Sequence, residues 1–282
     1  MKPFSLNIRG TLHRFDTPAV MGIINVTPDS FHAASRATDA ADAAARAADM
    51  VARGAHFIDV GACSTRPGSE SVSADEENAR LEQCLPAVVR AVAGRAIVSV
   101  DTFRADVARN AVEKWGADMI NDISGGNIDP AMFDTVADLH VPYVLSHMRG
   151  TPKDMQEYAL YEDVTADVLS ELGDRLQQLA LSGVSDIIID PGFGFSKTLE
   201  QNYQLLARLD LLQLLHRPVL VGMSRKSMAT RLLDIPAADA LNATTALNTL
   251  ALDRQAAIIR VHDVEPAVQA VKIYNAMAAQ RH

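Results

Sequence analysis

The sequence predicts an α/β protein in which eight strands and their helices close into a (β/α)8 barrel, or TIM barrel, after a short N-terminal β-hairpin. Three observations predict this fold class. Short apolar runs recur eight times, most of them precede a helical pattern, and the chain of 282 residues is close to the ~250 residues of a typical barrel. An open doubly wound sheet is the alternative for such an alternation. The strand count and the length favour the barrel.

The eight apolar runs are rich in Ile and Val and lack polar alternation, as expected of parallel strands that are buried on both faces. We predict strands over residues 20–26, 56–60, 96–100, 118–123, 142–146, 186–189, 218–222 and 257–261. Residues 4–14 precede the first of these strands and predict the small hairpin, which would lie across the bottom of the barrel.

Helix start and stop signals occupy the segments between the strands. The capping-box pattern from Ser73 to Glu76 opens a helix that ends near Gly94. An Ala-rich stretch after Thr38 stops at Gly54, a residue typical of the position after a helix. Further helices are predicted over residues 104–115, 161–181, 239–253 and 264–279.

Composition narrows the class of protein. With 48% hydrophobic and 22% charged residues and no linker-like segment, we predict one globular domain over residues 1–282. The net charge of -9 argues against a nucleic-acid partner. The N-terminus lacks a signal peptide's apolar core, and no apolar run reaches the ~18–20 residues that cross a bilayer. The two cysteines, Cys63 and Cys84, suit a reducing cytoplasm.

Polar residues end nearly every predicted strand. Because chemistry in a barrel sits at the C-terminal ends of the strands, these residues define the candidate site. They are Asn25, Asp59, Ser64, Thr65, Arg66, Asp101, Asn121, Asp122, His147, Asp190, Ser224, Arg225, Lys226, Arg260 and His262. Arg260 and His262 alternate with Val261, so both face one side of the last strand, towards the predicted mouth.

The acidic and amide groups suit a nitrogen heterocycle. Asp101, Asn121 and Asp190 follow different strands and can converge on the edge of such a ring. An aminopyrimidinone edge offers a pair of donors to a carboxylate, much as a guanidinium group does.

The cationic groups suit an anion. Arg66, Arg260 and His262 are typical ligands of a phosphate or diphosphate. A helix that starts near Lys226, with Ser227 as its cap, would bind a carboxylate or phosphate through its terminal N–H groups.

Each of these residues also has a purely structural interpretation. Asp101-Thr102 can cap the next helix, while Asn121-Asp122 and Asp190-Pro191-Gly192 can form turns. His147 is more often a buried structural histidine than a ligand. Polar residues end nearly every strand. If none of them were functional, every one of these structural interpretations would have to be correct independently. The joint pattern therefore favours a functional site.

Eight motifs occur in order at barrel-strand spacing. They are MGIINVTPDSF (21–31), DVGACSTRPGSE (59–70), VSVDTF (98–103), INDISGG (120–126), SHMRGTP (146–152), IIIDPGFGF (187–195), GMSRKS (222–227) and RVHDV (260–264). Over about residues 18–275 the sequence thereby resembles the dihydropteroate synthases, a pterin-binding TIM-barrel family of folate biosynthesis that sulfonamides inhibit.

The resemblance implies a transferase that joins 4-aminobenzoate to 6-hydroxymethyl-7,8-dihydropterin diphosphate by an SN1-like loss of diphosphate. It also implies a Mg²⁺ cofactor and a homodimer in the cytoplasm. The implied pterin ligands are Asp101, Asn121, Asp190 and Lys226. The implied diphosphate ligands are Asn25, Thr65, Arg260 and His262, with Asn25 also on the metal.

The remaining implied roles concern the second substrate, the catalytic step and the first loop. Pro67, Phe195 and Ser227 would surround 4-aminobenzoate, Asp29 and Phe31 would order the site from the first loop, and Asp101, Lys226, Arg66 and Thr65 would be catalytic. Two departures stand out. Residues 32–36 replace a Ser-Asp-Gly-Gly type of turn, and Cys63 stands where Glu is frequent. For Cys63 we favour a role in packing over a redox role.

Two other functions fit parts of the pattern. A folate-dependent methyltransferase that passes a methyl group to a cobalamin would keep the pterin-binding Asp and Asn residues on the same barrel. It would not need Lys226, Arg260 and His262 as a set. A non-catalytic barrel would not need the intact set of strand-end residues.

Overall fold

The computed structural model describes residues 1–26, 39–63 and 72–280, and its main feature is an eight-stranded parallel sheet. The strands are β3 (Ala19–Asn25), β4 (Phe57–Gly61), β5 (Ile97–Asp101), β6 (Met119–Asp122), β7 (Tyr143–Ser146), β8 (Ile187–Asp190), β9 (Leu220–Val221) and β10 (Ile258–Val261). Neighbours pair in chain order from β3 to β8, and β10 pairs with both β3 and β9. A parallel bridge between Ile189 and Val219 brings the two edges together. The nearly closed barrel confirms the predicted fold class.

Helices fill the connections between the barrel strands. They are α1 (Ala40–Ala52), α2 (Ala74–Val92), α3 (Ala105–Glu113), α4 (Met132–Leu139), α5 (Val164–Leu181), α6 (Leu199–Ala207), α7 (Ser227–Leu233), α8 (Leu241–Asp253) and α9 (Val264–Ala278). The sequence predicted six of these helices to within a few residues and also the start of α7 near Lys226, but it did not predict α4 and α6. Within the described ranges, no helix has the length and apolar character required to span a bilayer.

Helix ends follow local capping chemistry. The Ser73 hydroxyl accepts a hydrogen bond from the Glu76 amide at the start of α2, as the capping-box pattern predicts. The Asp39 carboxylate does the same for the Asp42 amide at the start of α1, whereas Thr38 lies outside the described residues. Gly54 follows the end of α1 with a positive φ of 99°.

Alternation along the strands separates two apolar cores. One core lies inside the barrel and takes Met21, Phe57, Ile97, Met119, Val144, Ile188, Leu220 and Ile258. The other lies between the barrel and the helices and takes Ile24, Ile58, Val98, Ile120, Leu145, Ile189, Val221 and Ile259. Because successive side chains point to opposite faces, a residue two positions after an interior residue also faces the interior. This rule orients the strand-end residues.

The predicted hairpin closes the N-terminal end of the barrel. Its strands β1 (Phe4–Ile8) and β2 (Thr11–Phe15) pair antiparallel. Leu6 and Ile8 pack into the interior core, and the Arg9 guanidinium donates to the Gly116 carbonyl at 2.8 Å. The opposite, C-terminal end of the barrel is therefore the mouth.

We predict that Leu6→Ala lowers the free energy of unfolding by about 2–5 kcal/mol, because it leaves a cavity in the interior core. Leu6 is 1% exposed. Leu12→Ala on the same hairpin is the matched control, since Leu12 is 69% exposed and its loss should change stability by less than about 0.5 kcal/mol. Urea unfolding of both variants measures the difference. Equal effects would show that the hairpin does not pack into the barrel.

Candidate active site

Polar side chains form a layer on top of the apolar interior. In the strand register, Asn25 lies beside Gly61, Gly61 beside Asp101, and Asp101 beside Asn121. A Cβ atom on Gly61 would lie 3.8 Å from Oδ1 of Asn25 and 3.5 Å from Cβ of Asp101. The polar side chains of β3, β5 and β6 therefore share one level at the mouth.

Arg260 bridges two buried carboxylates. Its Nε donates to Oδ2 of Asp59 at 2.6 Å, and its Nη2 donates to Oδ2 of Asp101 at 2.7 Å. Asp59 is fully buried and also accepts a hydrogen bond from Nδ2 of Asn121 at 3.0 Å. The sequence placed Asp59 on its strand without giving it a role, yet it joins two predicted ligand residues.

Burial and pairing set the charges of this group. Burial raises the pKa of Asp101, and the nearby Arg260 guanidinium opposes the rise. Burial alone would lower the pKa of Arg260, but Asp59 and Asp101 hold that pKa above its ordinary value. Arg260 is therefore a permanent cation beneath the mouth.

Asp190 supplies a second acidic group from β8. Its Oδ1 accepts a hydrogen bond from the Gly192 amide at 2.8 Å. Gly192 has a φ of +71°, and a Cβ there would lie 1.9 Å from the His147 carbonyl oxygen, so the turn requires glycine. Burial raises the pKa of Asp190, while Lys226 opposes the rise. The Asp-Pro-Gly sequence thus forms a turn and also fixes a buried carboxylate.

Lys226 lies beyond the end of β9. Its Nζ donates to the Phe193 carbonyl at 2.7 Å and lies 4.4 Å from the ring centroid of Phe195. A Cβ on Gly222 would lie 3.9 Å from this Nζ and 4.0 Å from Cβ of Arg260. Burial lowers the pKa of Lys226 to about 8. The structure therefore brings Lys226 and Arg260 to the same side of the mouth.

His262 and Ser224 contact each other at the ends of β10 and β9. The Ser224 Oγ lies 3.0 Å from Nδ1 of His262 and accepts a hydrogen bond from the His262 amide at 3.3 Å. Arg225 instead pairs with Asp263, at 2.9 Å from Nε and 3.0 Å from Nη2. The side chain of Arg225 therefore ties the β9 loop to the end of β10.

The structure also resolves the alternative interpretations of two motifs. Asp122, next to Asn121, points outward and accepts hydrogen bonds from the Tyr143 hydroxyl at 2.7 Å and from two turn amides. Asn121-Asp122 therefore serves both the interior and a turn. Helix α3 has Arg104 at its N-cap and no side-chain cap, so the alternative in which Asp101-Thr102 caps this helix does not hold, although the Thr102 hydroxyl accepts a hydrogen bond from the Arg104 amide at 3.2 Å. Asp101 pairs with Arg260 instead.

A buried lysine that the sequence did not single out supports the loop after β8. The Lys197 Nζ lies 3.0 Å from Nδ1 of His147 and donates to the carbonyls of Gly192 and Phe195, each at 3.1 Å. The other ring nitrogen of His147 lies 3.0 Å from Glu171. Burial lowers the pKa of Lys197 to about 7 and that of His147 to about 4. His147 is therefore a buried, hydrogen-bonded residue, as its structural interpretation predicts.

An apolar cluster lies beside the mouth and provides one wall of the site. It consists of Phe103, Ile123, Met148, Met155 and Phe195. Cys63 packs against it, and burial raises the pKa of the Cys63 thiol, which disfavours the reactive thiolate. These contacts support a role in packing for Cys63.

A separate cavity lies outside this mouth. It has a volume of about 750 Å³ and lies between the loops after β6 and β7 and helix α5. Its arginines are engaged by the protein, since Arg149 bonds Glu171 and Arg175 bonds the Gly125 carbonyl.

Several predicted site residues differ from expectation or cannot be placed. Ser227 is the first residue of α7 and Lys226 occupies the N-cap position, so the predicted capping role of Ser227 is wrong. Asp29, Phe31, Thr65, Arg66 and Pro67 lie outside the described residues.

The described part of the mouth has no cluster of metal ligands. Residues 1–26, 39–63 and 72–280 contain no group of three His, Cys, Asp or Glu side chains that could hold one. Asn25 supplies one half-buried amide oxygen from the end of β3. Because Mg²⁺ keeps several waters and commonly binds substrate phosphates, this single oxygen fits an ion that binds together with a diphosphate.

Comparisons with known proteins point to the same chemistry. A model of the family described as pterin binding enzymes matches residues 21–262. Dihydropteroate synthase of Escherichia coli K12 is 41% identical over 272 residues, covering 95% of this chain and 94% of that protein. The Yersinia pestis dihydropteroate synthase in a sulfonamide drug complex has a TM-score of 0.91 at 38% identity and covers 99% of this chain and 100% of its own. The Xanthomonas albilineans dihydropteroate synthase with 4-aminobenzoic acid has a TM-score of 0.87 at 39% identity and covers 98% of each chain.

Together, the barrel, its acidic and cationic mouth and these matches define a pterin-binding enzyme. Within that class, the chain belongs to the dihydropteroate synthase family, whose members are transferases of folate synthesis. The family, the enzyme class and the activity predicted from the motifs are confirmed. The methyltransferase alternative is not favoured, because the similar proteins are synthases.

We predict that the affinity for a 7,8-dihydropterin depends on the protonation of Lys226. Burial lowers the pKa of this residue to about 8, so its ammonium group donates hydrogen bonds below that pH and is lost as the pH rises through it. In Lys226→Arg the cation persists to a pH of about 12. The ratio of the parent's affinity to the variant's should therefore fall between about pH 7 and 9.

Calorimetric titrations of both proteins across this range provide the measurement. The ratio cancels any titration of the ligand itself, which is common to both proteins. A ratio that stays constant would show that Lys226 does not change its charge in this range.

Proposed function

We propose that this chain joins 4-aminobenzoate to 6-hydroxymethyl-7,8-dihydropterin diphosphate, giving 7,8-dihydropteroate and diphosphate, through the residues of the barrel mouth. The proposal rests on one observation. Buried hydrogen-bond acceptors and cationic side chains lie together at the C-terminal ends of the barrel strands. Asp190 lies within electrostatic reach of Lys226 and Arg260. The acceptors match the donor-rich edge of a pterin, and the cations match a diphosphate.

The pterin ring lies over the acidic layer. Asp190 accepts one hydrogen bond from the amino group of the ring and a second from a ring N–H, because an ionised carboxylate accepts two parallel hydrogen bonds. Asp101 and Asn121, at one level of the strand register, accept from the remaining donors. Lys226 donates to a ring acceptor from the opposite side.

The diphosphate lies towards the last strand. Arg260 uses Nε and Nη2 for Asp59 and Asp101, and its other N–H groups, among five in all, serve the diphosphate. His262, from the same face of β10, and Thr65, from the second loop, bind beside it. Asn25 would hold a Mg²⁺ ion through its amide oxygen, and bound Mg²⁺ supplies charge neutralisation for the departing diphosphate.

The reaction begins with loss of the leaving group. The C–O bond of the methylene breaks, and both electrons leave with the diphosphate. The resulting cation is delocalised into the pterin ring, where the negative charge of Asp101 stabilises it. The lone pair of the aniline nitrogen then forms the new C–N bond, and that nitrogen loses a proton to the diphosphate or to water. A neutral aniline is a sufficient nucleophile for this cation, so the step requires no covalent intermediate.

The 4-aminobenzoate lies beside the apolar cluster. Phe195 is buried there, under the Lys226 ammonium, and gives the ring an apolar wall. Ser227, at the start of α7, receives the carboxylate, and Pro67 closes the pocket. The Xanthomonas albilineans structure that contains 4-aminobenzoic acid supports such a pocket in this fold. Thr65 and Arg66 assist the catalytic step, Asp29 and Phe31 order the first loop, and sulfonamides compete for this pocket.

The outer faces of α7, α8 and α9 support a homodimer. Eleven large apolar side chains are exposed in the described part of the chain, and six of them lie on these helices. They are Leu232, Leu233, Leu241, Leu250, Ile273 and Met277. Where exposed apolar side chains form a contiguous patch, they mark a protein interface. Cys63 and Cys84 form no disulfide, which supports a reducing cytoplasm as the location.

We predict that the parent protein releases diphosphate from the pterin diphosphate only when 4-aminobenzoate is present. Asp190→Asn should reduce kcat/KM by about 100-fold or more, because it removes a charge-assisted hydrogen bond at the ring. Asp186→Asn, at the bottom of the same strand segment, is the matched control and should retain the parent rate.

Coupled detection of diphosphate, with chromatography of the dihydropteroate product, measures these rates. A rate of diphosphate release that does not depend on 4-aminobenzoate would contradict the proposed reaction. An Asp190→Asn variant as active as the Asp186→Asn control would contradict the assigned role of Asp190.

A further inference from the structure

Asp59 lies directly below the layer of polar residues that faces the mouth. On β4 it follows the interior residue Phe57 and precedes Gly61, and it pairs in register with Ile23 on one side and Ser99 on the other. It is fully buried, so it reaches a ligand only through other side chains. Its contacts show which ones, because Oδ2 accepts from Asn121 and Arg260.

This contact fixes the orientation of the Asn121 amide. A carboxylate that accepts a hydrogen bond from a guanidinium group offers acceptors only, whereas a carboxamide has a donor end and an acceptor end. The NH₂ end of Asn121 must therefore face Asp59, where Nδ2 lies 3.0 Å from Oδ2. The amide oxygen is left for the ligand. At the mouth, Asn121 then acts as an acceptor, like the neighbouring carboxylates of Asp101 and Asp190.

We propose that Asp59 is a positioning residue that sets the specificity of the site for a ring edge rich in donors. It acts by holding the oxygen of Asn121 towards the pterin, and this inference rests on the proposed function of the mouth. A 2-amino-4-oxo ring offers donors to such a set of acceptors. A 2,4-dioxo ring of the same shape offers an acceptor in place of the amino group and meets repulsion.

Asp59→Asn tests this role with little change in volume. The introduced carboxamide keeps one oxygen for Arg260 and Asn121, which share Oδ2 of Asp59 in the parent, but it has no negative charge. The charge-assisted hydrogen bond that holds the Asn121 amide in one orientation is therefore weakened. In the parent, Arg260 also donates to Asp101 at 2.7 Å, and this partner is not changed by the substitution. We expect the site to lose discrimination between the two rings rather than only affinity.

The experiment measures the dissociation constants of pterin and of lumazine, its 2,4-dioxo analogue, with the full chain. The parent should prefer pterin by at least about 100-fold, because buried acceptors reject a ligand that lacks the matching donor. Asp59→Asn should reduce this preference by about 10-fold or more. Ser99→Ala is the matched control, because Ser99 is buried beside Asp59 and its hydroxyl has no hydrogen-bond partner among the described residues. It should leave the preference unchanged.

Two further variants separate positioning from a general structural effect. Asn121→Ser should lower the preference as Asp59→Asn does, and adding Asp59→Asn to it should lower the preference no further, because both changes act on one amide. Equal losses of affinity for both rings in Asp59→Asn, with the preference intact, would overturn the proposal. A parent that shows no preference for pterin would instead contradict the proposed function.

A spectroscopic measurement covers the case in which Asp59→Asn does not fold. In the parent, the side-chain NH₂ signal of Asn121, assigned by its loss in Asn121→Ser, should exchange slowly with solvent and stay protected when pterin binds. Fast exchange that slows only on binding would show that the NH₂ group faces the ligand, and it would overturn the proposal.

Discussion

The carboxylates of Asp59 and Asp101 are buried beneath the mouth of the barrel, and the Arg260 guanidinium joins them. Burial disfavours the charged form of a carboxylate, and two neighbouring carboxylates disfavour each other. A cation that bonds both offsets these costs and holds three strands, β4, β5 and β10, in a fixed relation. The placement of the other mouth residues depends on this bridge, since Asn121 bonds Asp59 and Lys226 lies close to Arg260.

Much of the fold and of the mouth was predictable because the strand period is two. Five strand residues with apolar side chains face the interior, and the residue two positions after each must face it as well. They are Phe57, Ile97, Met119, Ile188 and Ile258. This parity separates Asn121, inside, from Asp122, outside. Seven of the eight predicted strands began a residue or two early, and the first began one residue late. Pro142 and Pro218 explain part of this difference, because they contribute carbonyls but no N–H donors to the ladder.

Other features required three-dimensional information. The bond from Arg260 to Asp59 joins residues 201 positions apart, and no local pattern encodes which carboxylate a strand-end arginine will reach. The role of Lys197 was not predicted from the sequence, because it depends on a turn that places the Gly192 carbonyl within hydrogen-bond distance of the Lys197 Nζ. Of α4 and α6, which were not predicted, α6 carried a usable signal, a capping box from Thr198 to Gln201, whereas α4 has only eight residues and no side-chain cap.

Arg260 neutralises two buried carboxylates, and the free energy of unfolding of Arg260→Met, measured as a function of pH, tests this role without any substrate. Near pH 8 the variant should lose about 3–5 kcal/mol, because an unpaired charge remains buried. Removing the cation raises the pKa of Asp101 further in the folded state, so the penalty should lessen as the pH falls and the carboxylate takes up a proton. A loss below about 1 kcal/mol that is the same at pH 5 and pH 8 would contradict the account.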